Sequence, residues 1–174
     1  GDSTMIGTVI NHVHASSVEH TIVVLGSNFD SHREVIKDYP VEIVNNTQYR
    51  EGMFSSVKCG LEAVPHDADA VMVLLGDQPM ILSEEIDQLI ESYMGSEKEI
   101  AIATHGRKRG HPILFGKRYI HEITGYPGDA SLRDLLQKHP SQILEIQTGD
   151  DRILRDIDTE NDYKFELKHH HKHD

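Results

Sequence analysis

The chain has 174 residues, 37% of them hydrophobic, which is enough for one globular domain with a sizeable core. Its formal net charge of -12 argues against a nucleic-acid surface and against an anionic membrane, and no apolar run approaches the roughly 20 residues of a membrane span. The single cysteine, Cys59, excludes a disulfide framework within the chain and favours a reducing cytosol, so we predict a cytoplasmic protein.

The first half of the chain alternates helical and strand patterns. Apolar residues at helical spacing predict four helices, at residues 3–17 with Ser3 or Thr4 as N-cap, at 31–38, at 52–64, and from the N-cap Ser83 onwards. A short continuous apolar run predicts a buried strand at residues 21–25, and further strands are predicted at 41–44 and 70–75. The run 70–75 is the most apolar, so we expect it in the centre of a parallel sheet.

The pattern changes after residue 99. Two apolar runs joined by a glycine-rich basic turn predict an antiparallel pair of strands, at residues 100–104 and 111–115. Further helices are expected at residues 117–123, 131–139 and 159–167, and further strands at 143–146 and 153–156. The expected fold is a three-layer α/β/α sandwich around a mostly parallel, mixed sheet, in a single domain over residues 1–168 with a histidine-rich tail at 169–174.

Asp77 is the first candidate functional residue. In "LLGDQPMI" it comes two residues after the most apolar strand, where Gly76 lets the backbone turn and Pro79 fixes its exit. Open α/β sheets bind ligands outside the carboxyl ends of their strands, and Mg²⁺ is typically held there by one or two carboxylates and substrate phosphates. The alternative is that Asp77 only caps a turn.

The second candidate is the helix start in "REGMFSSVKCGL". Gly52, Ser55 and Ser56 supply backbone amides and hydroxyl groups there, and a helix N-terminus attracts anions or the carbonyl edge of a base. An ordinary capped helix, with Gly60 allowing close packing, explains the same residues.

Several charged residues of the second half have two interpretations each. The basic run at 107–109 can grip a phosphate or can simply be a solvated hairpin turn, and His111 follows it. Asp129 and Arg133 stand at a predicted helix start. Asp156 and Asp158 stand at a predicted strand end, where one of them is a candidate second metal ligand or merely precedes a helix cap at Thr159.

Five motifs together resemble a known family. "REGMFSSVKCGL", "LLGDQPMI", "RGHPILF", "GDASLRDLL" and "DIDTENDY" are similar to motifs of the MobA-like nucleotidyltransferases, most closely the molybdenum cofactor cytidylyltransferase and purine-catabolism branch. The resemblance spans nearly the whole chain. It implies a Rossmann-like fold of the nucleotide-diphospho-sugar transferase type.

The resemblance also implies a reaction. Such enzymes transfer a nucleotidyl group, here from CTP, to the terminal phosphate of molybdopterin and release pyrophosphate, by in-line displacement at phosphorus. Asp77 matches the catalytic, Mg²⁺-binding aspartate, with Asp158 as a weaker second metal contact. The remaining implied contacts are Gly52, Ser55, Ser56 and Gly76 for the nucleotide, and His111, Pro112, Asp129 and Arg133 for the acceptor.

One family feature is missing. Members begin with a first strand and a loop of the form L-A-A-G-x-S-x-R-M-G-x-x-K, which holds the triphosphate, and no such segment occurs in these 174 residues. We interpret the chain as a fragment or as a homologue that lost the loop. On either interpretation it should bind nucleotide poorly and lack a central strand, and a homo-oligomer or domain swap would cover the exposed sheet edges.

Other functions are compatible with the same sequence. One alternative keeps nucleotidyl transfer but uses GTP in place of CTP, or a sugar or alcohol phosphate in place of molybdopterin. A different class is a non-catalytic module that delivers cofactor to a molybdenum hydroxylase of the xanthine dehydrogenase type. A metal chaperone would rest on the histidines of residues 169–173 alone.

Overall fold

The computed structural model describes residues 4–154 and contains both strand and helix patterns in the predicted order. The strands are β1 (Ile22–Leu25), β2 (Glu42–Asn45), β3 (Ala70–Val73), β4 (Ile100–His105), β5 (Lys108–Gly116) and β6 (Ile143–Gln147). The α-helices are α1 (Met5–His14), α2 (Phe29–Ile36), α3 (Met53–Glu62), α4 (Ser83–Met94), α5 (Arg118–Thr124) and α6 (Leu132–Lys138). Short 3₁₀ turns occur at Tyr49–Glu51, Pro140–Gln142 and Arg152–Leu154. Within this part of the chain, no helix has the length and apolarity that crossing a membrane requires.

The strands form two sheets. β1 and β2 pair in parallel, with Val23 opposite Ile43. The other sheet has the order β3-β5-β4-β6, in which β4 and β6 are parallel and β5 is antiparallel to both of its neighbours. The expectation that β3 is central is therefore wrong: within residues 4–154 it pairs only with β5. Its apolar character instead reflects helices packed on both of its faces.

Helices α1 and α3 connect the two sheets from opposite faces. On one face, Val9 of α1 packs in the same cluster as Met72 of β3, while the adjacent Ile10 packs with Leu25 of β1. On the other face, Leu61 of α3 packs with strand residues of the larger sheet, and α3 also contacts β1. The unpaired edges of β1 and β3 thus lie between the same two helices.

The alternation along β4 shows why the fold has three layers. Ile100 and Ile102 face the cluster formed with α3, α5 and α6, whereas Ala101 and Ala103 face the cluster formed with α1 and α4. All four residues are buried. A strand that is apolar on both faces needs helices on both sides, so the predicted α/β/α architecture is confirmed.

One helix cap is predicted wrongly, and the described half of one predicted strand is not a strand. The N-cap of α4 is Leu82 rather than Ser83, and the Glu85 carboxylate accepts a hydrogen bond from the Leu82 amide at 2.9 Å. The Glu85 carboxylate, rather than a serine hydroxyl, provides the side-chain hydrogen bond at the N-cap, and Ser83 is the first residue of the helix.

At the predicted strand 153–156, the chain instead makes the 3₁₀ turn Arg152–Leu154, since Ile153 is anchored in the core against the start of β5. The contact is close: a β-carbon at Gly110 would lie 2.4 Å from the Ile153 carbonyl oxygen. The rest of that strand, the helix predicted at 159–167 and the tail at 169–174 lie outside the described residues.

Candidate functional site

Asp77 stands on a turn at the carboxyl end of β3. The chain turns at Gly76 and Asp77, with the Gln78 amide donating to the Leu75 carbonyl oxygen at 3.3 Å. The four residues after Asp77 are buried, whereas Asp77 itself is exposed. The apolar strand and the buried segment after it therefore hold one carboxylate at the surface, at the edge where open α/β sheets bind ligands.

The surroundings of Asp77 suit a divalent cation that is bound partly by substrate. No ion pair or hydrogen bond to its carboxylate is present within residues 4–154, and no cluster of three or more histidine, cysteine or acidic residues could hold a metal in that range. One free carboxylate is a typical protein contribution to a Mg²⁺ site that phosphates complete. A side chain at Gly76 would meet no atom within 4 Å, so the space beside Asp77 is open.

β5 brings two predicted acceptor-binding residues to the same edge. Val73 lies opposite Ile113 in the antiparallel register, so the residues just before Ile113 continue alongside the residues just after Val73. Those preceding residues are His111, which is half-buried, and Pro112, which is buried. From the Val73–Ile113 pair, the antiparallel register therefore leads β3 toward the Asp77 turn and leads β5 back toward Pro112 and His111, although 34 positions separate His111 from Asp77 in the sequence.

A second group forms around Asn46, which our sequence analysis missed. Asn46 follows β2 and is only 3% exposed. Its side-chain nitrogen Nδ2 donates to the Oγ atoms of Ser55 and Ser56, at 2.8 and 3.0 Å. Its Oδ1 accepts from the Gln48 amide at 2.9 Å. The signal was available: an asparagine directly after a strand, in the connection to a helix that begins with two serines.

Gly52 provides the entry to this helix. Its φ of 105° and ψ of 175° lie in a region that favours glycine, and it both ends the 3₁₀ turn and precedes the first residue of α3. The Ser55 amide and hydroxyl both donate to the Gly52 carbonyl oxygen, at 3.1 and 2.7 Å. The structure therefore brings Gly52, Ser55 and Ser56 together at the start of α3, where the sequence predicts one nucleotide site.

The Asn46 group lies at the carboxyl end of β1. Gly60 of α3 packs on this strand so closely that a β-carbon there would lie 3.0 Å from Cγ2 of Val24. Ser56 is one helical turn before Gly60 on the same face, hence nearer the strand's carboxyl end. The Asn46 group and the Asp77 turn consequently flank the two unpaired strand edges, an arrangement typical of the switch point at which open α/β sheets bind ligands.

The predicted acceptor loop between α5 and α6 joins the Asn46 side of the site. The Lys58 ammonium of α3 donates to the Tyr126 carbonyl oxygen at 2.8 Å, which ties this loop to α3. Asp129 is exposed and lines a surface pocket of about 380 Å³ together with Tyr126, Pro127, Ala130, Asp134 and Lys138. Arg133 is exposed on α6 and does not line that pocket.

The remaining charged candidates are less favourable. Arg109 donates from Nε and Nη2 to the Glu145 carboxylate of β6, at 2.8 and 2.6 Å, so an acid already neutralises it. This pairing favours the structural interpretation of the basic hairpin. The proposed second metal ligand, Asp158, and its neighbour Asp156 lie outside the described residues.

Comparison with known proteins agrees with this geometry. The model of the MobA-like NTP transferase domain matches residues 1–143. The molybdenum cofactor cytidylyltransferase of Escherichia coli (strain K12) is 25% identical over 132 residues, which represent 76% of this chain and 65% of that protein. The chain thus spans somewhat less than two thirds of the length of this curated relative.

Solved structures share the fold. A nucleotidyl transferase from Methanothermobacter thermautotroptrophicus superposes with a TM-score of 0.81 at 19% identity, covering 98% of this chain and 82% of that one. The Rv0371C protein of Mycobacterium tuberculosis H37Rv, solved in complex with manganese, gives 0.80 at 23% identity, covering 97% and 88%. These likenesses confirm the predicted nucleotidyltransferase fold. Since the family model matches most of the chain, this protein belongs to the MobA-like NTP transferase domain family.

Proposed function

We propose that this protein transfers a cytidylyl group from CTP to the terminal phosphate of molybdopterin and releases pyrophosphate. Membership of the MobA-like family supports nucleotidyl transfer, and the E. coli relative supports CTP and the molybdenum cofactor as substrates. No feature of residues 4–154 favours the GTP or sugar-phosphate alternatives over this one.

The observation that carries the proposal is the exposed Asp77 carboxylate, which has no protein cation beside it in the described part of the chain. Asp77 would hold Mg²⁺, which when bound neutralises charge on the triphosphate and on the departing pyrophosphate. The manganese complex of the M. tuberculosis protein supports a divalent cation in this fold. Asp77 also repels unneutralised phosphates, so nucleotide binding should depend on the cation.

The other predicted residues then have positioning roles. Gly52 and Ser56 would line the nucleotide pocket, Ser55 would hold the loop before α3 in place, and Gly76 would leave space beside the nucleotide. His111, Pro112, Asp129 and Arg133 would face the acceptor. In-line displacement needs no covalent intermediate. The chain's contribution is therefore to hold the acceptor phosphate in line with the α-phosphate of CTP and to exclude water.

The test is a transfer assay with the full-length protein, CTP, Mg²⁺ and molybdopterin, in which pyrophosphate and the dinucleotide product are measured together. We expect CTP to be used at least tenfold better than GTP. Asp77→Asn should lower kcat/KM by about 100-fold or more, the scale for a lost transition-state charge contact. Glu91→Gln, an exposed acid on α4, should leave it unchanged.

Three results would contradict the proposal. If the protein uses GTP as well as CTP or better, its nucleotide substrate is not specifically CTP. Full activity of Asp77→Asn would show that this carboxylate does not serve the reaction. A protein that binds molybdopterin and hands it to a molybdenum hydroxylase, but releases no pyrophosphate, would instead support the delivery-module alternative.

A further inference from the structure

We propose that Asn46 is a positioning residue that directs the Ser56 hydroxyl proton toward the nucleotide, and that the neighbouring Ser55 serves local structure only. This inference rests on the proposed function, because it assigns roles within the same nucleotide site. Its basis is the direction of each hydrogen bond in the Asn46 group.

The orientation of the Asn46 amide is fixed by a backbone donor. The Gln48 amide nitrogen lies 2.9 Å from Oδ1, and a backbone N–H can only donate. The atom facing Gln48 must therefore be the oxygen. It follows that the atom facing both serines is the NH₂ group, and that both serine oxygens accept hydrogen bonds from it.

The two serines differ in whether the protein offers an acceptor for the hydroxyl proton. The Ser55 hydroxyl has two carbonyl acceptors, of Gly52 at 2.7 Å and of Gln48 at 3.1 Å, so its proton is used within the loop. Within residues 4–154, the Ser56 hydroxyl accepts from Asn46 and has no acceptor for its own proton. Asn46 thus leaves Ser56 as a hydrogen-bond donor with an open direction.

Asn46 has little freedom to change this arrangement. It is 3% exposed, and its backbone amide donates to the Leu25 carbonyl oxygen at the end of β1, at 2.8 Å. Ser56 is half-buried on the face of α3 near the carboxyl end of that strand, so its proton is available to a ligand bound there. The matching ligand atom is an oxygen acceptor, either a base carbonyl or a phosphate oxygen.

The first arm of the test measures the affinity of the full-length protein and its variants for CTP with Mg²⁺ by isothermal titration calorimetry. Ser56→Ala should raise Kd about tenfold, the upper range for one neutral hydrogen bond. Ser55→Ala, the matched control on the adjacent residue, should change Kd less than threefold but should lower Tm more than Ser56→Ala does. Repeating the titration with cytidine distinguishes a base carbonyl, which retains the Ser56 effect, from a phosphate, which loses it.

The second arm tests Asn46 itself. In Asn46→Asp, one carboxylate oxygen still accepts from the Gln48 amide, but the other must accept from Ser56 and so turns that proton away from the site. We expect Asn46→Asp to raise Kd about tenfold more in the unaltered background than in the Ser56→Ala background. Repulsion between the new carboxylate and the triphosphate acts in both backgrounds and cancels in this comparison.

The outcomes separate the two hypotheses. The inference is overturned, while the proposed function stands, if the unaltered protein binds CTP and Ser56→Ala binds it equally well. The same holds if the effects of Asn46→Asp and Ser56→Ala on the binding free energy are additive. If the unaltered protein binds no nucleotide, the proposed function fails and the ligand assigned to Ser56 fails with it. The relative Tm values of the two serine variants still report on the hydrogen-bond directions in that case.

Discussion

Gly52 and Gly76 both belong to the predicted nucleotide site, but the structure constrains them differently. Gly52 has a φ of 105°, which L side chains rarely adopt, although a β-carbon there would meet nothing within 4 Å. Gly76 also has open space around it, and its φ lies outside the left-handed range. Backbone conformation therefore requires glycine at Gly52 but not at Gly76, although the chain does turn at Gly76 as the sequence predicts.

We therefore predict that Gly52→Ala lowers the free energy of unfolding by about 1–2 kcal/mol through backbone strain alone. Gly76→Ala is the matched control and should stay within about 0.5 kcal/mol of the unaltered protein. Urea denaturation at pH 7 measures both values. Equal losses at the two positions would contradict the assignment of strain to Gly52.

The junction of α5 and α6 is held by a cluster around Glu122. Its carboxylate accepts hydrogen bonds from Tyr126 at 2.6 Å, Lys138 at 2.8 Å and His139 at 2.9 Å. Burial disfavours the charged form of Glu122, but these three donors outweigh it and lower the pKa of this carboxyl to about 2. The α5–α6 loop that carries Asp129 thus depends on an ionised glutamate.

This pKa predicts a pH dependence of stability. The folded-state pKa of Glu122 is about 2, below the ordinary value of 4.5, so between these pH values the unfolded chain binds more protons. The stabilisation is complete above about pH 4.5 and is lost as the pH falls toward 2. Glu122→Gln should cost about 2 kcal/mol at pH 7 and progressively less below pH 4.5.

Urea unfolding of both proteins between pH 7 and 3 tests this expectation. Glu91 of α4 is exposed and forms no ion pair within residues 4–154, so Glu91→Gln should show no such convergence with the unaltered protein. A cost for Glu122→Gln that is the same at every pH would mean that packing, rather than charge, accounts for the loss.

At the scale of the whole molecule, the two sheets share helices but not hydrogen bonds. β4 has strands on both sides, whereas β1 and β3 each have one, within the described part of the chain. All four residues of β3 are apolar yet only half-buried, while the first five residues of β4 are buried. Within residues 4–154, the region between β1 and β3 is therefore bridged by the packing of α1 and α3 rather than by strand pairing, and it lies beside the predicted site.

Hydrogen exchange should follow this difference. Amides of β4 and β5 should exchange slowest, and the amides of β1 and β3 that point away from their single partner strand should exchange as fast as those on the outer edges of β2 and β6. Residue-resolved exchange by NMR on the full-length protein measures this. Protection of those amides as strong as that of β4 would show that another strand covers the two edges.

The helices and strands up to residue 147 were predictable because each depends on a local pattern: helical spacing in α1, continuous apolar runs in β1 and β3, and a glycine-rich turn between β4 and β5. The pairing of strands was not predictable in the same way. The central position expected for β3 failed, because a run of apolar residues reports burial on both faces and says nothing about which strands lie at its edges.

The sequence by itself determined the family, the α/β order and the position of Asp77 after an apolar strand, since these depend on residues that are neighbours in the chain. Tertiary structure alone decided the antiparallel register that directs His111 toward the Asp77 end of β3, the pairing of Glu145 with Arg109, and the hydrogen bonds from Asn46 to Ser55 and Ser56. The physical reason is that hydrogen-bond direction and strand register depend on atoms far apart in sequence, which no local pattern specifies.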